Sequence, residues 1–117
     1  MYVDGFVVPV PKAKKQAYLR GARKMGKIWR EHGALAYMES MGDDVKPGKW
    51  TSFPRAVKLK AGEVVWLSWA LYKSRRHRDR VNARAMKDPR MVAMMKEKMP
   101  FDGKRMFWGG FKVAVDL

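Results

Sequence analysis

His77 is the side chain of this sequence best suited to transfer a proton. It follows closely on Ser74, the predicted N-cap of a helix, and shares a helical face with Val81 and Ala85, so its ring should point inward. The positive end of the helix dipole favours the neutral imidazole, which is the form that acts as a general base. The plainer interpretation, which we favour, is a histidine hydrogen-bonded to backbone at the edge of the core.

A second group of candidate side chains lies on one face of a predicted strand. Trp66, Ser68 and Tyr72 alternate along the sequence VVWLSWALY, and Asp4 joins them if its own strand pairs in the right register. An apolar pocket with a few polar groups is typical of a small-molecule site, although an ordinary core has the same pattern. The candidate ligand-binding residues are His77, Trp66, Tyr72 and Asp4, and His77 is also the candidate catalytic residue.

No pattern in the sequence predicts a metal site or a cofactor. Glu39, Asp43 and Asp44 gather around the end of a predicted strand, with His32 upstream, but their spacing matches no familiar metal site. Asp43 and Asp44 lie in a turn-like context, where carboxylates bond their own backbone. The chain has no cysteine, which excludes thiolate ligands, a cysteine nucleophile and disulfides. The Gly-Gly pair near the C-terminus opens no helix and lacks the spacing of a phosphate loop.

Hydrophobic period and turn residues predict the elements that would position these side chains. Ser74 and the pair Asp88-Pro89 carry the signals of helix starts. The predicted elements are strand 3–9, helix 12–32, strand 35–41, a long packed connection 45–63, strand 64–72, helix 74–86, short helix 88–97 and strand 105–115. This β-α-β-β-α-β order predicts an α+β, ferredoxin-like fold with a four-stranded antiparallel sheet.

The third predicted strand is apolar on both faces. Leu67, Trp69 and Leu71 point to one side, and Trp66 and Tyr72 point to the other. Two main helices cover only one face of a four-stranded sheet, so the second face needs a partner. A second copy of the chain is the commonest partner, and we therefore expect a homodimer in which two sheets pack face to face.

Four segments of the chain carry a resemblance to a known family. They are YVDGFVVPVP at residues 2–11, SFPRAV at 52–57, SRRHRDRVNARAM at 74–86 and MPFDGKRMFWGGF at 99–111. With these segments the chain resembles the YbaA-like family, small bacterial proteins of unassigned function among the dimeric α/β-barrel proteins. The resemblance runs from Met1 almost to Leu117, so we expect a single domain over residues 1–117. It implies the same ferredoxin-like fold and the same dimer through the sheet.

The resemblance says less about activity. Related barrel proteins include cofactor-free monooxygenases, isomerases and haem-degrading enzymes, whose ligands lie between the helices and the sheet. None of their catalytic motifs matches this chain residue by residue, so whether the protein is an enzyme stays open. In the PFDGKR segment, Asp102-Gly103 predicts a turn, and Arg105 is expected to pair with a carboxylate such as Asp102 or Asp4.

Charge is the strongest signal in the composition. The formal net charge is +15, from 26 Lys and Arg against 11 Asp and Glu. Such a field attracts polyanions, and it exceeds what the resemblance leads us to expect. The basic residues concentrate in two segments, which would form one positive surface if both helices pack on the same side of the sheet. One segment holds Lys12, Lys14, Lys15, Arg20, Arg23, Lys24, Lys27 and Arg30, and the other holds Lys73, Arg75, Arg76, Arg78, Arg80, Arg84, Lys87 and Arg90.

The third strand argues against one class of nucleic-acid-binding protein. RNA-recognition domains share this strand order, but their third strand carries basic, glycine and aromatic residues in an RNP1 signature. Here that strand has no glycine and no basic residue, and Trp66 and Trp69 lie on opposite faces. Sequence-specific RNA binding by the sheet is therefore not predicted, whereas non-specific contact between the helices and phosphates remains open.

The sequence thus predicts a cytoplasmic small-molecule-binding protein, or a cofactor-free enzyme, with its pocket between helices and sheet. No apolar run approaches the roughly 20 residues needed to cross a bilayer, and we expect neither a signal peptide nor a membrane partner. One alternative is a basic module that binds nucleic acid non-specifically through its helix surfaces. Another is an engineered or adapted, highly basic member of the family that has no polyanion partner.

Overall fold

The computed structural model describes residues 1–117 as one four-stranded sheet with helices. Neighbouring strands are all antiparallel, in the order β2-β3-β1-β4, which confirms the predicted α+β, ferredoxin-like fold. No helix combines the length and the apolar character that crossing a bilayer requires. The elements are β1 (Tyr2–Pro11), α1 (Lys15–Glu31), β2 (Ala36–Met41), α2 (Phe53–Ala56), β3 (Glu63–Tyr72), α3 (Arg75–Lys87), α4 (Pro89–Met95) and β4 (Phe107–Lys112), with a 3-10 turn at Lys12–Lys14 before α1.

Three helices begin at residues whose side chains cap them. Ser74 Oγ accepts the backbone N–H of His77 at 3.1 Å, and Asp88 Oδ1 accepts that of Arg90 at 2.9 Å. Both helix starts were predicted, because such side chains satisfy amide groups that the first turn leaves unpaired. The connection 45–63 differs from the prediction in containing α2, which is capped in the same way by Ser52.

The strand β4 is shorter than the predicted strand 105–115. Its register with β1 ends at Tyr2↔Lys112, and beyond that pair the Met1 carbonyl accepts one further hydrogen bond, from Val113. At the other end, Arg105 belongs to a turn in which its backbone N–H donates to Asp102. The strand is therefore limited by the length of its partner and by this turn.

Arg105 joins the turn before β4 to the start of β3. Its guanidinium binds both carboxylate oxygens of Glu63, at 2.8 and 2.6 Å, and its Nε donates to Asp102 at 2.9 Å. It also donates to the carbonyl oxygens of Val57 and Lys58. These charge-assisted bonds hold the pKa values of Glu63 and Asp102 below their usual range. The predicted pairing of Arg105 with Asp102 is thus confirmed.

Both main helices cover one face of the sheet, which we call the helix-facing side. Tyr18 of α1 packs there with Trp66, and Val81 of α3 packs there with Tyr72. Even-numbered residues of β1 pair with even-numbered residues of β3, so both strands present them on this side. The expectation that Asp4 shares a face with Trp66 and Tyr72 is therefore confirmed.

The opposite face, which we call the open side, is covered by neither α1 nor α3, and only Phe53 of the short helix α2 lies beside it, near Val65 and Leu67. Val57 and Leu59, from the connection 45–63, cover one end of the open side, where they pack on Val7 and Val65. The remainder is apolar and partly or largely exposed, and it includes Val3, Met38, Leu67, Trp69, Leu71, Phe107 and Phe111.

Gly26 lets the sheet approach α1 closely. A Cβ atom there would lie 2.7 Å from Cδ1 and 2.9 Å from Cε1 of Tyr37, which is too close for any side chain. At Gly21, in the same helix, the nearest atom to a Cβ would be Met94 Cε at 4.0 Å. The Tyr37 ring therefore packs directly on the backbone of α1 at Gly26.

These two glycines provide a matched pair of substitutions. Gly21→Ala should stabilise the protein by about 0.5–1 kcal/mol, because alanine is the better helix former and meets no obstacle. Gly26→Ala should destabilise it by about 1–2 kcal/mol, because displacing Tyr37 outweighs the same helical gain. Urea unfolding of both variants measures the difference, and equal free energies of unfolding would contradict the close approach at Gly26.

Candidate functional site

Asp4 lies at the centre of the candidate site and is only 2% exposed. Its neighbours across the sheet are Ala70 on β3 and Gly110 on β4. These small residues leave room above the sheet for Arg78 of α3, whose Nε lies 3.7 Å from Asp4 Oδ1. A buried carboxylate is unfavourable without a cation or hydrogen-bond donors nearby, and Arg78 supplies that charge.

Tyr2 and Gly110 fix the position of Arg78. The Nη2 atom of Arg78 donates to the Tyr2 hydroxyl at 3.1 Å, and its guanidinium carbon lies 4.9 Å from the centre of the Tyr2 ring. A Cβ atom on Gly110 would lie 2.8 Å from Nη2 and would collide with the Tyr2 hydroxyl. The lack of a side chain at Gly110 is therefore what allows the arginine to lie over β4.

Asn82 connects this ion pair to the aromatic core. Its Oδ1 accepts a hydrogen bond from Trp29 Nε1 at 2.9 Å, so it also ties α3 to α1. The Tyr72 hydroxyl lies 3.4 Å from the same oxygen, and burial together with the charge of Asp4 raises its pKa. We call this group the Asp4 cluster, and its members are Asp4, Tyr2, Tyr72, Arg78 and Asn82.

The electrostatics of the Asp4 cluster suit it to hold a proton. Burial raises the pKa of Asp4, although the charge of Arg78 and hydrogen bonds from Asn82 and Tyr72 act in the opposite direction. Perturbed carboxyl groups of this kind are typical of acid–base sites. Two buried atoms, Asp4 Oδ1 and Arg78 Nε, make no hydrogen bond. The two atoms lie 3.7 Å apart, and Nε also lies 3.3 Å from Asp79 Oδ1, so their charges are balanced while their hydrogen-bonding capacity is unused.

A second carboxylate, partly buried, lies on the same side of the sheet, at β2. Glu39 Oε1 accepts the Tyr18 hydroxyl at 2.7 Å, and its Oε2 accepts the Tyr37 hydroxyl at 2.9 Å. Burial raises the pKa of Glu39, while the two hydroxyls lower it. Each oxygen has a donor here, so this group is a closed structural contact between β2 and α1.

His77 lies behind Tyr72 rather than beside Asp4. Its Nδ1 accepts the backbone N–H of Lys73 at 2.9 Å, and its ring meets the Tyr72 ring edge-on at 6.0 Å. Its Nε2 faces Gly33, where a Cβ atom would lie 3.3 Å away. Burial and the nearby charge of Lys73 lower the pKa of His77. The ring thus joins the β3–α3 turn to the end of α1, and its role in proton transfer stays a prediction.

Trp66 lies apart from the Asp4 cluster. It is six residues from Tyr72 along β3, about 20 Å away, and its ring packs on Tyr18 at 4.9 Å. A shallow depression of about 250 Å³ lies beside it, lined partly by Lys15 and Met41. Of the four predicted ligand-binding residues, the structure therefore brings Asp4 and Tyr72 together, places His77 behind them and leaves Trp66 at the other end of the sheet.

The acidic residues around β2 do not converge with His32. The Nε2 atom of His32 lies 2.9 Å from Asp88 Oδ2, at the start of α4. Glu39 is held by its two tyrosines, and Asp43 and Asp44 are exposed.

Sequence reasoning missed the role of Arg78 and Asn82. The two residues are four positions apart on α3 and flank the buried residues Val81 and Ala85. A polar pair at that spacing, next to an apolar stripe, would have indicated that both side chains point toward the sheet. Arg78 was counted instead among the residues of a solvated basic face.

Comparison with known proteins gives consistent matches at the level of sequence. The family described as "Protein of unknown function (DUF1428)" matches residues 1–103. The "Uncharacterized protein YbaA" of Escherichia coli (strain K12) is 49% identical over 115 residues, which cover 98% of this chain and 97% of that protein. The Shigella flexneri protein of the same name has the same identity and coverage. These matches confirm the predicted resemblance to YbaA-like proteins.

Two solved structures share the fold. Protein Atu4242 from Agrobacterium tumefaciens has a TM-score of 0.56 at 18% identity, over 97% of this chain and 94% of that one. Rv0793 from Mycobacterium tuberculosis has a TM-score of 0.55 at 13% identity, over 99% of this chain and 98% of that one. At such identities the similarity is one of fold alone.

The raised pKa of Glu39 predicts a specific pH dependence of stability. Folded Glu39 holds its proton more tightly than the unfolded chain does, so ionised Glu39 lowers the free energy of unfolding at neutral pH. That effect disappears as the pH falls through the raised pKa toward the unfolded value of 4.5.

Glu39→Gln should therefore gain stability relative to the parent protein at neutral pH, and this gain should shrink as the pH approaches 4.5. Urea unfolding across that pH range measures it. The matched control is Glu97→Gln, at an exposed residue that forms no ion pair. A gain that is independent of pH would contradict this view of Glu39.

Proposed function

The chain belongs to the DUF1428 family of proteins of unknown function, and from that premise we propose that it is a cytoplasmic, homodimeric protein that binds a small organic anion. The ligand would lie between helices and sheet at the Asp4 cluster. The observation that carries the proposal is the pair of buried, unsatisfied atoms, Asp4 Oδ1 and Arg78 Nε. An unsatisfied donor and acceptor side by side are what a ligand's polar group would complete.

Arg78 argues for an anionic ligand. Its guanidinium has five N–H donors, and the Tyr2 hydroxyl accepts from one of its nitrogens. Its Nε lies between the carboxylates of Asp4 and Asp79, whereas Nη1 has no partner. The donors of Nη1 and Nη2 suit a carboxylate, which an arginine can bind through two parallel hydrogen bonds. The net charge of +15 would also raise the local concentration of small anions around the protein.

The uncovered strand β4 offers a route to the site. Gly110 is exposed and lies directly across from Asp4. Two residues earlier on the same side of the sheet, the exposed ring of Trp108 stacks on Phe6 at 5.9 Å. A ligand whose carboxylate reaches Arg78 would place its apolar part on this indole, which favours an aromatic or otherwise apolar acid.

If the bound molecule is also a substrate, Asp4 is the residue placed to move a proton. Burial raises its pKa and so favours the protonated form that a general acid needs, and Asp4 acts in turn on the pKa of the Tyr72 hydroxyl. Both nitrogens of His77 face backbone instead, so His77 would act as a positioning residue for Tyr72. This chemistry needs no cofactor.

The open side of the sheet supports the dimer. Its exposed apolar residues come from β2, β3 and β4, and a surface of this kind is typical of a protein interface. A second copy has the same exposed apolar surface on its open side. Face-to-face packing of two sheets would bury both of these surfaces at once. Such packing would leave the Asp4 cluster on the outward, helix-facing side of each protomer.

Benzoate is a direct probe of the anion site, and benzamide is its uncharged counterpart. We expect benzoate, but not benzamide, to raise the melting temperature and to shift the indole resonance of Trp108. Arg78→Gln should weaken benzoate binding about 10-fold or more, because a charge-assisted hydrogen bond is lost. Arg84→Gln, an exposed position on the same helix, removes the same charge and should leave binding unchanged.

Native mass spectrometry of protein taken gently from its expression host complements this test. We expect a dimer that carries a discrete small mass, and the mass should be absent from Arg78→Gln. Equal benzoate and benzamide binding, or benzoate binding that survives Arg78→Gln, would contradict the anion site. If His77→Ala abolished benzoate binding while Asp4→Asn retained it, His77 rather than Asp4 would be the central residue of the site.

Two substitutions of equally exposed residues test the dimer. Leu67 on the open side and Val92 on α4 are each 43% exposed. Leu67→Glu should convert the dimer to a monomer, because it places two charges in the buried interface, whereas Val92→Glu should leave the dimer intact. Light scattering measures the mass, and circular dichroism checks the fold. A Leu67→Glu dimer would contradict packing through the open side.

A further inference from the structure

We propose that the outer faces of α1 and α3 form one binding surface for the phosphate backbone of double-stranded nucleic acid. The two helices together hold twelve Lys and Arg residues and two acidic residues, Glu31 and Asp79. We call their exposed basic residues the basic surface. Its members are Arg20, Arg23, Lys24, Lys27 and Arg30 on α1, and Arg75, Arg76, Arg80, Arg84 and Lys87 on α3.

The two helices are directly packed, so their basic residues form one surface. Trp29 of α1 donates a hydrogen bond to Asn82 of α3, and Ile28 packs in one cluster with Ala85. On α3, Arg76, Arg80, Arg84 and Lys87 follow each other at helical spacing and make a stripe about 16 Å long. Packed helices lie about 8–10 Å apart, a separation that lets two such stripes contact phosphates on either side of a groove.

Apart from Arg30, whose guanidinium donates to the carbonyls of Ala34 and Leu35, the charges of the basic surface are free to bind an external anion. The ion pairs of this protein involve Arg78, Arg90, Arg105 and His32, and none involves a member of the basic surface. The two acidic residues of these helices are themselves paired, Glu31 with Arg90 and Asp79 with Arg78. Phosphate binding would therefore replace solvent and counterions rather than break contacts of the fold.

The chemistry of the surface favours a duplex over a single strand or a membrane. Single strands are bound by stacking on aromatic rings, but the exposed aromatic residues all lie outside α1 and α3. A helix that binds membranes inserts an apolar face, whereas the apolar faces of α1 and α3 are buried, at Ile28, Val81 and Ala85. Arginine dominates the α3 stripe, and its planar fork matches phosphate geometry.

The test is fluorescence anisotropy with a short mixed-sequence DNA duplex over a series of salt concentrations. We expect binding that weakens steeply with salt, with little difference between duplex sequences. Replacing Arg76, Arg80, Arg84 and Lys87 with glutamine should lower the slope of log K against log salt by about 0.9 for each lost phosphate contact. A second variant replaces Arg20, Arg23, Lys24 and Lys27, and omits Arg30 because its guanidinium donates to the carbonyls of Ala34 and Leu35.

The control removes the same number of charges elsewhere. Lys46, Lys49, Lys58 and Lys60 are exposed residues of the connection whose Val57 and Leu59 pack on the open side. Their replacement with glutamine should leave most of the binding intact. An equal loss in control and helix variants would overturn the proposal, because total charge would then be the cause. So would the absence of duplex binding at low salt, tighter binding to a single strand, or binding only to phosphatidylserine vesicles.

Discussion

Burying the carboxylate of Asp4 is the constraint on which the rest of the helix-facing side depends. A charge in that position needs a cation nearby, and the cation must come from a helix, because the neighbouring strand residues are Ala70 and Gly110. α3 must therefore cross the sheet so that Arg78 reaches Asp4 while Val81 packs with Tyr72. The crossing in turn positions Asn82 to receive Trp29 from α1. One buried charge thus orients both main helices.

Acidic and basic residues are distributed differently, with most acidic residues paired within the protein and most basic residues on its surface. Acidic residues are largely engaged by internal partners: Asp4 by Arg78, Glu39 by two tyrosines, and Glu63 by Arg105. Most basic residues are left exposed without a carboxylate. The net charge is therefore displayed almost wholly on the surface, where it acts on ligands and partners rather than on stability.

Local patterns predicted much of the fold. The helix starts at Ser74 and Asp88 were predictable because a cap depends on residues next to each other in sequence. Alternation along β1 and β3 placed Asp4, Trp66 and Tyr72 on one face. The six-residue spacing of Trp66 and Tyr72 already implies about 20 Å between them along the strand, a separation too large for one small pocket. The α2 helix was missed because four residues give no measurable period.

The candidate site was predicted only in part, for a related reason. Asp4 and Tyr72 could be found from strand alternation, whereas Arg78 depends on how α3 crosses the sheet, and no local pattern contains that angle. His77 illustrates the converse. Its residue type and place on the helix fitted a general base, yet the Lys73 N–H occupies its Nδ1, a contact set by the shape of the preceding turn.

Gly110 also limits how this protein can change over evolutionary time. A side chain there would meet Tyr2 and Arg78 together, so drift at position 110 is coupled to two residues more than thirty positions away in sequence. A lineage that acquires alanine at 110 must move or replace both the Tyr2 ring and the end of Arg78, because a change in Arg78 alone leaves the collision with Tyr2. Positions 2, 78 and 110 should therefore vary as one unit among relatives, and a lineage that keeps all three has kept the geometry around Asp4.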